Sequence, residues 1–215
     1  MEITLKVETL SPLHLGSGHA DVNVDADVVC DAYGMPYFPA RRFKGLVYES
    51  ALEVAEMEER SGLALFGTDA LAALFHHGTD ASDAQLIFSN LYIAEAGEYR
   101  RMQATWAYLE EMYGGLLTPE DLLEEYTSIR YQTRLENGVA ADGSLRNLRA
   151  IDAGVTFYGT MELLHGDAHL PLLAAALRNL KEVGGKRSRG FGRIRCMMEL
   201  PDGRTGADIL EEVLA

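Results

Sequence analysis

Residues 184–195, Gly-Gly-Lys-Arg-Ser-Arg-Gly-Phe-Gly-Arg-Ile-Arg, hold four glycines and five cationic side chains. Glycine lets a backbone turn tightly and come close to a ligand, while Arg and Lys neutralise phosphate. Read alone, the run suits a phosphate-gripping loop and a solvated linker equally well. Two other segments carry comparable chemistry. Arg41, Arg42 and Lys44 stand at the start of an expected helix, where unpaired backbone N–H groups beside cations favour an anion. If Lys186, Arg187 and Arg189 lie near them, the two segments form one phosphate-tracking groove; the other reading is two unrelated solvated patches. Asp21, Asp25, Asp27 and Asp31 crowd a single loop. Such carboxylates can hold a divalent cation weakly or take a proton, or they can simply cap and solvate the loop. Their spacing matches no dedicated Ca²⁺ loop.

The chain that carries these residues is 215 residues long, 47% hydrophobic, with a formal charge of −14 from 33 Asp+Glu against 19 Lys+Arg. Such a length supports one substantial core, with room for an inserted segment. The acidity argues against binding nucleic acid over the whole surface but leaves a local basic groove open. No apolar run approaches the ~18 residues a membrane span needs. The N-terminal residues alternate in polarity and lack the basic start and apolar block of a signal peptide, so a cytoplasmic location is expected. Cys30 and Cys196 are far apart without metal-type spacing; one disulfide is conceivable, but reduced thiols suit a chain with no export signal.

Period-two alternation of Ile3, Leu5 and Val7 predicts a strand over about 2–10. Ser11-Pro12 and Gly16-Ser17-Gly18 break it, and the acidic loop follows. Phe43, Leu46, Val47, Ala51, Leu52 and Val54 share one face of a helix over about 40–60. A short helix is expected near 69–76 and a strand over about 85–93, with Leu86, Phe88 and Leu91 turned inward. Residues 95–127 read as a partly helical insert in which Thr118 caps a helix and Pro119 opens it. Residues 128–150 are rich in Arg, Asn and Gly, and the turn signals Asn137-Gly138 and Asp142-Gly143 point to a hairpin. A strand at about 154–165, a helix at about 168–182, the Gly/Arg loop, a strand at about 191–199 and an acidic helix at about 205–215 complete the order. The fold class is α+β: a single ferredoxin-like (RRM-like) β-α-β-β-α-β domain over 1–215, with insertions over 95–150. RNA-binding modules and unrelated enzymes share that plan, so fold does not name function.

Six segments together carry a resemblance. Leu13-His14-Leu15-Gly16-Ser17-Gly18 follows the first strand, and Pro36-Tyr37-Phe38-Pro39-Ala40-Arg41-Arg42-Phe43-Lys44-Gly45 opens the first helix. Leu65-Phe66-Gly67, Phe88-Ser89-Asn90 and Gly154-Val155-Thr156-Phe157 come next in order, and the Gly/Arg loop is last. This arrangement resembles the RAMP superfamily of CRISPR-associated RNA-binding proteins, from about residue 5 to 197. Length and the lack of a second ferredoxin-like unit are most similar to the repeated backbone subunit of type III effector complexes. Where that family usually has Gly-Ser-Ser before Lys-Gly, this chain has Ala40-Arg41-Arg42.

The resemblance implies a guide-RNA-binding subunit that stacks with copies of itself into a filament. Its other partners would be target RNA and further effector subunits, including the large polymerase-like one, with no membrane involved. It implies RNA contacts from Arg41, Arg42 and Lys44 and from Gly184, Gly185, Lys186, Arg187, Ser188, Arg189 and Gly190. Arg130 and Arg134 would act from a thumb-like hairpin over 128–150 that displaces a nucleotide. It also implies target-RNA cleavage by Asp25, with Asp27 and Asp21 as alternate positions, and Mg²⁺ or Mn²⁺ weakly bound at Asp25. Two other readings stay open within the family. One is a non-catalytic RNA-binding subunit. The other is a metal-independent enzyme that processes CRISPR RNA precursors, with His14 or His19 as acid/base. His14, flanked by Leu13 and Leu15, suits a structural role; His19 lacks an evident partner. His165, His169 and His76-His77 read as surface. Trp106, Tyr108, Tyr113 and Tyr131 could stack on bases, but their spacing better suits packing of the insert or of a neighbouring subunit.

Overall fold

The computed structural model describes residues 1–20, 23–67, 69–75, 86–164 and 168–214. Its main sheet is antiparallel. The edge strand β10 (Ile194–Glu199) pairs with β1 (Glu2–Thr9), β1 with β9 (Thr156–Leu163), and β9 with β3 (Leu86–Phe88) and β4 (Leu91–Tyr92). A two-residue strand, β2 (Tyr37–Phe38), closes the far edge against β4. Helices α1 (Ala40–Ser61) and α5 (Leu170–Asn179) provide the apolar layer beneath. With β3 and β4 taken as one strand, this is the ferredoxin-like order.

The periodicities explain the two layers. Ile3, Leu5 and Val7 are fully buried on one face of β1, and Phe157, Met161 and Leu163 continue that face on β9. α1 meets them with Phe43, Val47, Ala51 and Val54, and α5 with Leu172, Leu173, Ala176 and Leu177. Each fully buried aliphatic or aromatic side chain of this kind contributes roughly 1.5–3 kcal/mol. Where the helices touch, the Ser50 hydroxyl donates to the Ala176 carbonyl at 2.8 Å.

The strand expected over 85–93 is two strands, split at Ser89-Asn90. The Ser89 hydroxyl takes over pairing with β9, accepting the Thr160 N–H at 2.8 Å. The Asn90 carboxamide oxygen accepts the Ala40 N–H at 2.8 Å and so caps α1 from fifty residues away. A short helix α2 (Ala70–Leu74) follows α1, and His76-His77 and His165 lie outside the described residues.

The insert contains α3 (Ala96–Tyr113) and α4 (Pro119–Tyr126). α4 opens with the expected Thr118 cap and Pro119, and Asp121 completes a reciprocal capping box. The hairpin is a two-stranded arm: β5 (Thr127–Gln132) pairs with β8 (Arg146–Ile151). Beyond them a tip of β6 (Leu135–Glu136) and β7 (Val139–Ala140) turns at Asn137-Gly138, both with positive φ. α6 (Gly206–Leu214) packs against α5. Both cysteines are free thiols.

Candidate nucleic-acid interface

The Gly/Arg run is a closed loop rather than a linker. Its arms pair: the Val183 N–H donates to the Gly192 carbonyl and the Ile194 N–H to the Lys181 carbonyl, both at 2.8 Å. Lys186 adopts the left-handed region and a 3₁₀ turn spans Arg187–Arg189. Two glycines are required by contact. Gly184, at φ 78°, lies so close to the next segment that a Cβ would stand 2.6 Å from the His14 carbonyl oxygen. At Gly192 a Cβ would stand 1.9 Å from the Val183 carbonyl oxygen.

That next segment, residues 13–16, joins the working parts. Leu13 exchanges two 2.8 Å backbone hydrogen bonds with Ile151 at the root of the hairpin. His14 pairs with Gly185, whose N–H donates to the His14 carbonyl at 3.1 Å. Gly16 pairs with Val28 at the end of the Asp loop. Finally, Arg42 Nη1 donates to the Gly16 carbonyl at 2.7 Å. Four residues of chain therefore bind the hairpin, the Gly/Arg loop, the Asp loop and the start of α1 to one another.

Around this strap lies a cavity of about 450 Å³ lined by Arg41, Arg42, Gly45, Gly184 and Gly185 together with His14. A neighbouring cavity of about 250 Å³ shares Leu46 and Glu49 with it and adds Arg187. Arg41 and Arg42 at the start of α1 and Arg187 of the Gly/Arg loop thus line two adjoining depressions that share Leu46 and Glu49. Lys186, Ser188, Arg189 and Gly190 are exposed at the loop tip, where Arg189 Nη1 donates to Gln132 Oε1 on the hairpin at 2.6 Å. Arg130 is exposed on β5, and Arg134 is paired with Glu136 at 2.8 Å.

Lys44 is placed differently from its neighbours. Its amine donates to the Leu86 carbonyl at 3.0 Å, and burial lowers its pKa. It braces α1 against β3 and does not line the cavity. The start of α1 is also less open to an anion than its sequence suggests. Ala40 N–H is taken by Asn90, and those of Arg42 and Phe43 go to the Pro39 carbonyl, leaving Arg41 N–H.

The acidic loop separates its carboxylates. Asp31 is structural, accepting the Tyr33 and Met35 N–H groups and the Tyr99 hydroxyl. Burial, and then that bond to Asp31, push the Tyr99 pKa upward. Asp27 accepts Arg149 Nε at 3.0 Å. Asp25 is exposed: its Oδ2 accepts the Asn147 N–H at 2.9 Å, while its own N–H donates to Asn147 Oδ1 at 2.7 Å. This reciprocal pair fixes Asp25 at the root of the hairpin. Its second oxygen has no hydrogen-bond partner among the described residues, and Asp21 lies outside them.

Arg149 is the residue that sequence reasoning placed least well. It lies in the Arg-rich hairpin segment, yet only 3% of its side chain is accessible. It pairs with Asp27 and Glu120 and donates to Thr127 Oγ1. Its carbonyl receives the His14 Nδ1–H at 2.8 Å, the structural role expected for that histidine. Trp106 is half-buried, while Tyr108, Tyr113 and Tyr131 are exposed.

The family model described as the RAMP superfamily matches residues 6–195. The chain belongs to the RAMP superfamily. No curated protein matches it significantly. Among solved structures, this RAMP chain is similar to a chain of type III-B Cmr-beta bound to cognate target RNA. That pair has a TM-score of 0.64 and 11% identity, covering 97% of this chain and 98% of the other. It is equally similar to a chain of Cmr-beta in the apo state, with a TM-score of 0.65, 12% identity and the same coverage. At such identities the likeness is one of fold. Among the described residues, no helix of this RAMP protein is long and apolar enough to cross a membrane.

Proposed function

We propose that this RAMP protein is a guide-RNA-binding backbone subunit of a type III CRISPR ribonucleoprotein, and that Asp25 cleaves the bound target RNA. The observation that carries the reading is the strap at residues 13–16, which joins a cationic depression, a projecting hairpin and a loop carboxylate in one unit. The fold shared with chains of a type III-B complex agrees with it. Its partners would be guide and target RNA, further copies of itself and other effector subunits, including the large polymerase-like one.

Each part has a task in this reading. Arg41, Arg42 and Arg187 meet backbone phosphates as charge-assisted donors, and Gly184 and Gly185 let the backbone approach closely. Arg130 lies along the arm that would wedge a nucleotide out of the guide–target duplex. A displaced nucleotide holds its 2′-hydroxyl near in-line geometry with the adjacent phosphate, and positioning supplies much of such catalysis. Asp25 then takes the 2′-hydroxyl proton as that oxygen bonds to phosphorus, and the 5′-oxygen of the next nucleotide leaves with a proton from solvent. Asn147 holds the carboxylate in place during the transfer.

Among the described residues, no cluster of three or more His, Cys, Asp or Glu side chains forms a metal cage. One free carboxylate oxygen suits Mg²⁺ or Mn²⁺, which commonly take one or two protein carboxylates and complete their shell with water and phosphate oxygens. With that oxygen on the ion, Asp25 would hold the metal in place of taking the proton itself, and the ion would neutralise charge developing on the phosphate.

The test is Asp25→Ala in the purified ribonucleoprotein. Target cleavage should fall at least a hundredfold, the scale of lost acid–base catalysis, with guide RNA content unchanged. Undiminished cleavage would remove Asp25 from the reaction and favour a non-catalytic subunit.

A further inference from the structure

Two surfaces take no part in the RNA site, and they lie at opposite edges of the main sheet. The first is a groove of about 900 Å³ along the edge strand β10, running between it, α5 and the start of α6. Its floor is apolar, with Leu177 and Met198 buried and Met197 exposed. Five cations line it. Arg195 is engaged with Glu8, and Lys6 lies over the Tyr158 ring. Among the described residues Arg178, Lys181 and Arg193 form no ion pair, in a chain whose formal charge is −14.

The second surface is the far end of α3, which departs from β4 at the other edge. Near β4 the helix is anchored, with Tyr99 buried and stacked on Tyr92 at 4.2 Å between ring centroids. Tyr99 is its only buried residue. At its free end Met112, Tyr113, Leu116 and Leu117 are all exposed, Leu116 by 73%. Glu110 and Glu111 stand beside them without ion pairs among the described residues, and residues 95–126 carry eight acidic against two basic side chains. A contiguous exposed patch of large apolar side chains rimmed by charge marks a surface that meets another macromolecule.

We infer that the acidic, apolar end of α3 seats in the basic, apolar groove along β10 of a second copy of this chain. The inference rests on the backbone-subunit reading and names the contact by which copies join. Charge complementarity selects the pair: Glu110 and Glu111 against Arg178, Lys181 and Arg193, around Met112 and Leu116 on one side and Met197 and Met198 on the other. The groove's lining includes no residue of α3, so the helix end does not fill it within one molecule. The contact is heterologous, so each copy added leaves a fresh groove and a fresh helix end, and the assembly is open-ended. Its rim charges make it salt-sensitive.

The experiment uses two full-length variants. Glu110→Lys/Glu111→Lys spoils the helix end and keeps the groove; Arg178→Glu/Lys181→Glu spoils the groove and keeps the helix end. Light scattering after gel filtration should find wild type associating with concentration and each variant at the 23.6 kDa of the monomer. Far-UV circular dichroism verifies that both are folded. Mixed together, the variants pair an intact helix end with an intact groove and a lysine-bearing helix end with a glutamate-bearing groove, so charge complementarity is restored and association should return. Wild type that stays monomeric, single variants that associate like wild type, or folded variants that fail to associate on mixing would each overturn the proposal. Bound RNA is measured in the same fractions by absorbance ratio. Loss of RNA from the Arg178→Glu/Lys181→Glu variant with association intact would make the groove an RNA surface instead. Failure of the contact with RNA retained would leave the guide-binding reading standing.

Discussion

At the residue scale, the site depends on a few atoms that tolerate no substitute. Gly184→Ala forces a Cβ against the His14 carbonyl at a positive φ, a strain on the order of 1–3 kcal/mol. The strap should shift, and guide RNA affinity should fall at least tenfold in filter binding while the circular dichroism spectrum is kept. Arg149 illustrates what sequence hides. Its type and neighbours announce a surface cation, but its partners come from elsewhere, Asp27 from the acidic loop and Glu120 from the first turn of α4, and only the folded chain shows them enclosing it. Arg149→Ala leaves both carboxylates without their cation and should cost about 3 kcal/mol, read as a lowered urea midpoint. The thiols make a chemical prediction. Burial pushes Cys196 up to about 12, and burial with Asp27 and Asp31 raises Cys30. The thiolate is the reactive form, so neither should be alkylated by iodoacetamide at pH 8 until the protein is unfolded.

At the element scale, local signals were legible and long-range ones were not. The alternation in β1, the apolar face of α1, the Thr118-Pro119 start of α4 and the Asn137-Gly138 turn all act within a few residues, and the structure follows each. The break between β3 and β4 exists because Asn90 serves the start of α1, a contact no local pattern records. Likewise, the strap at 13–16 reads as a loop because its bonding partners lie in four other segments. The helix caps give a pH prediction. Bonds from Thr118 hold Asp121 below its usual carboxylate range, and bonds from Thr205 do the same for Asp208 at α6. A depressed folded pKa gives stability that is present above the unfolded value and lost as pH falls through the folded one. Thermal stability should therefore decline below about pH 4, and Asp121→Asn should flatten part of that decline.

At the scale of the whole molecule, the proposed RNA site is a local cationic one on an acidic chain: Arg41, Arg42 and Arg187 line the depressions, and Arg130 is exposed on the hairpin. Four phosphate contacts give an expected slope of about −3 for log affinity against log salt, at ~0.7 per contact with single-stranded RNA. Arg41→Ala should reduce that slope by about 0.7 without altering sequence preference. The most direct test of the central claim is to extract and sequence the RNA that purifies with the native protein. Short RNAs sharing one repeat-derived 5′ tag are the expected result. A purified protein carrying no RNA, or carrying random cellular fragments, would contradict the guide-binding role.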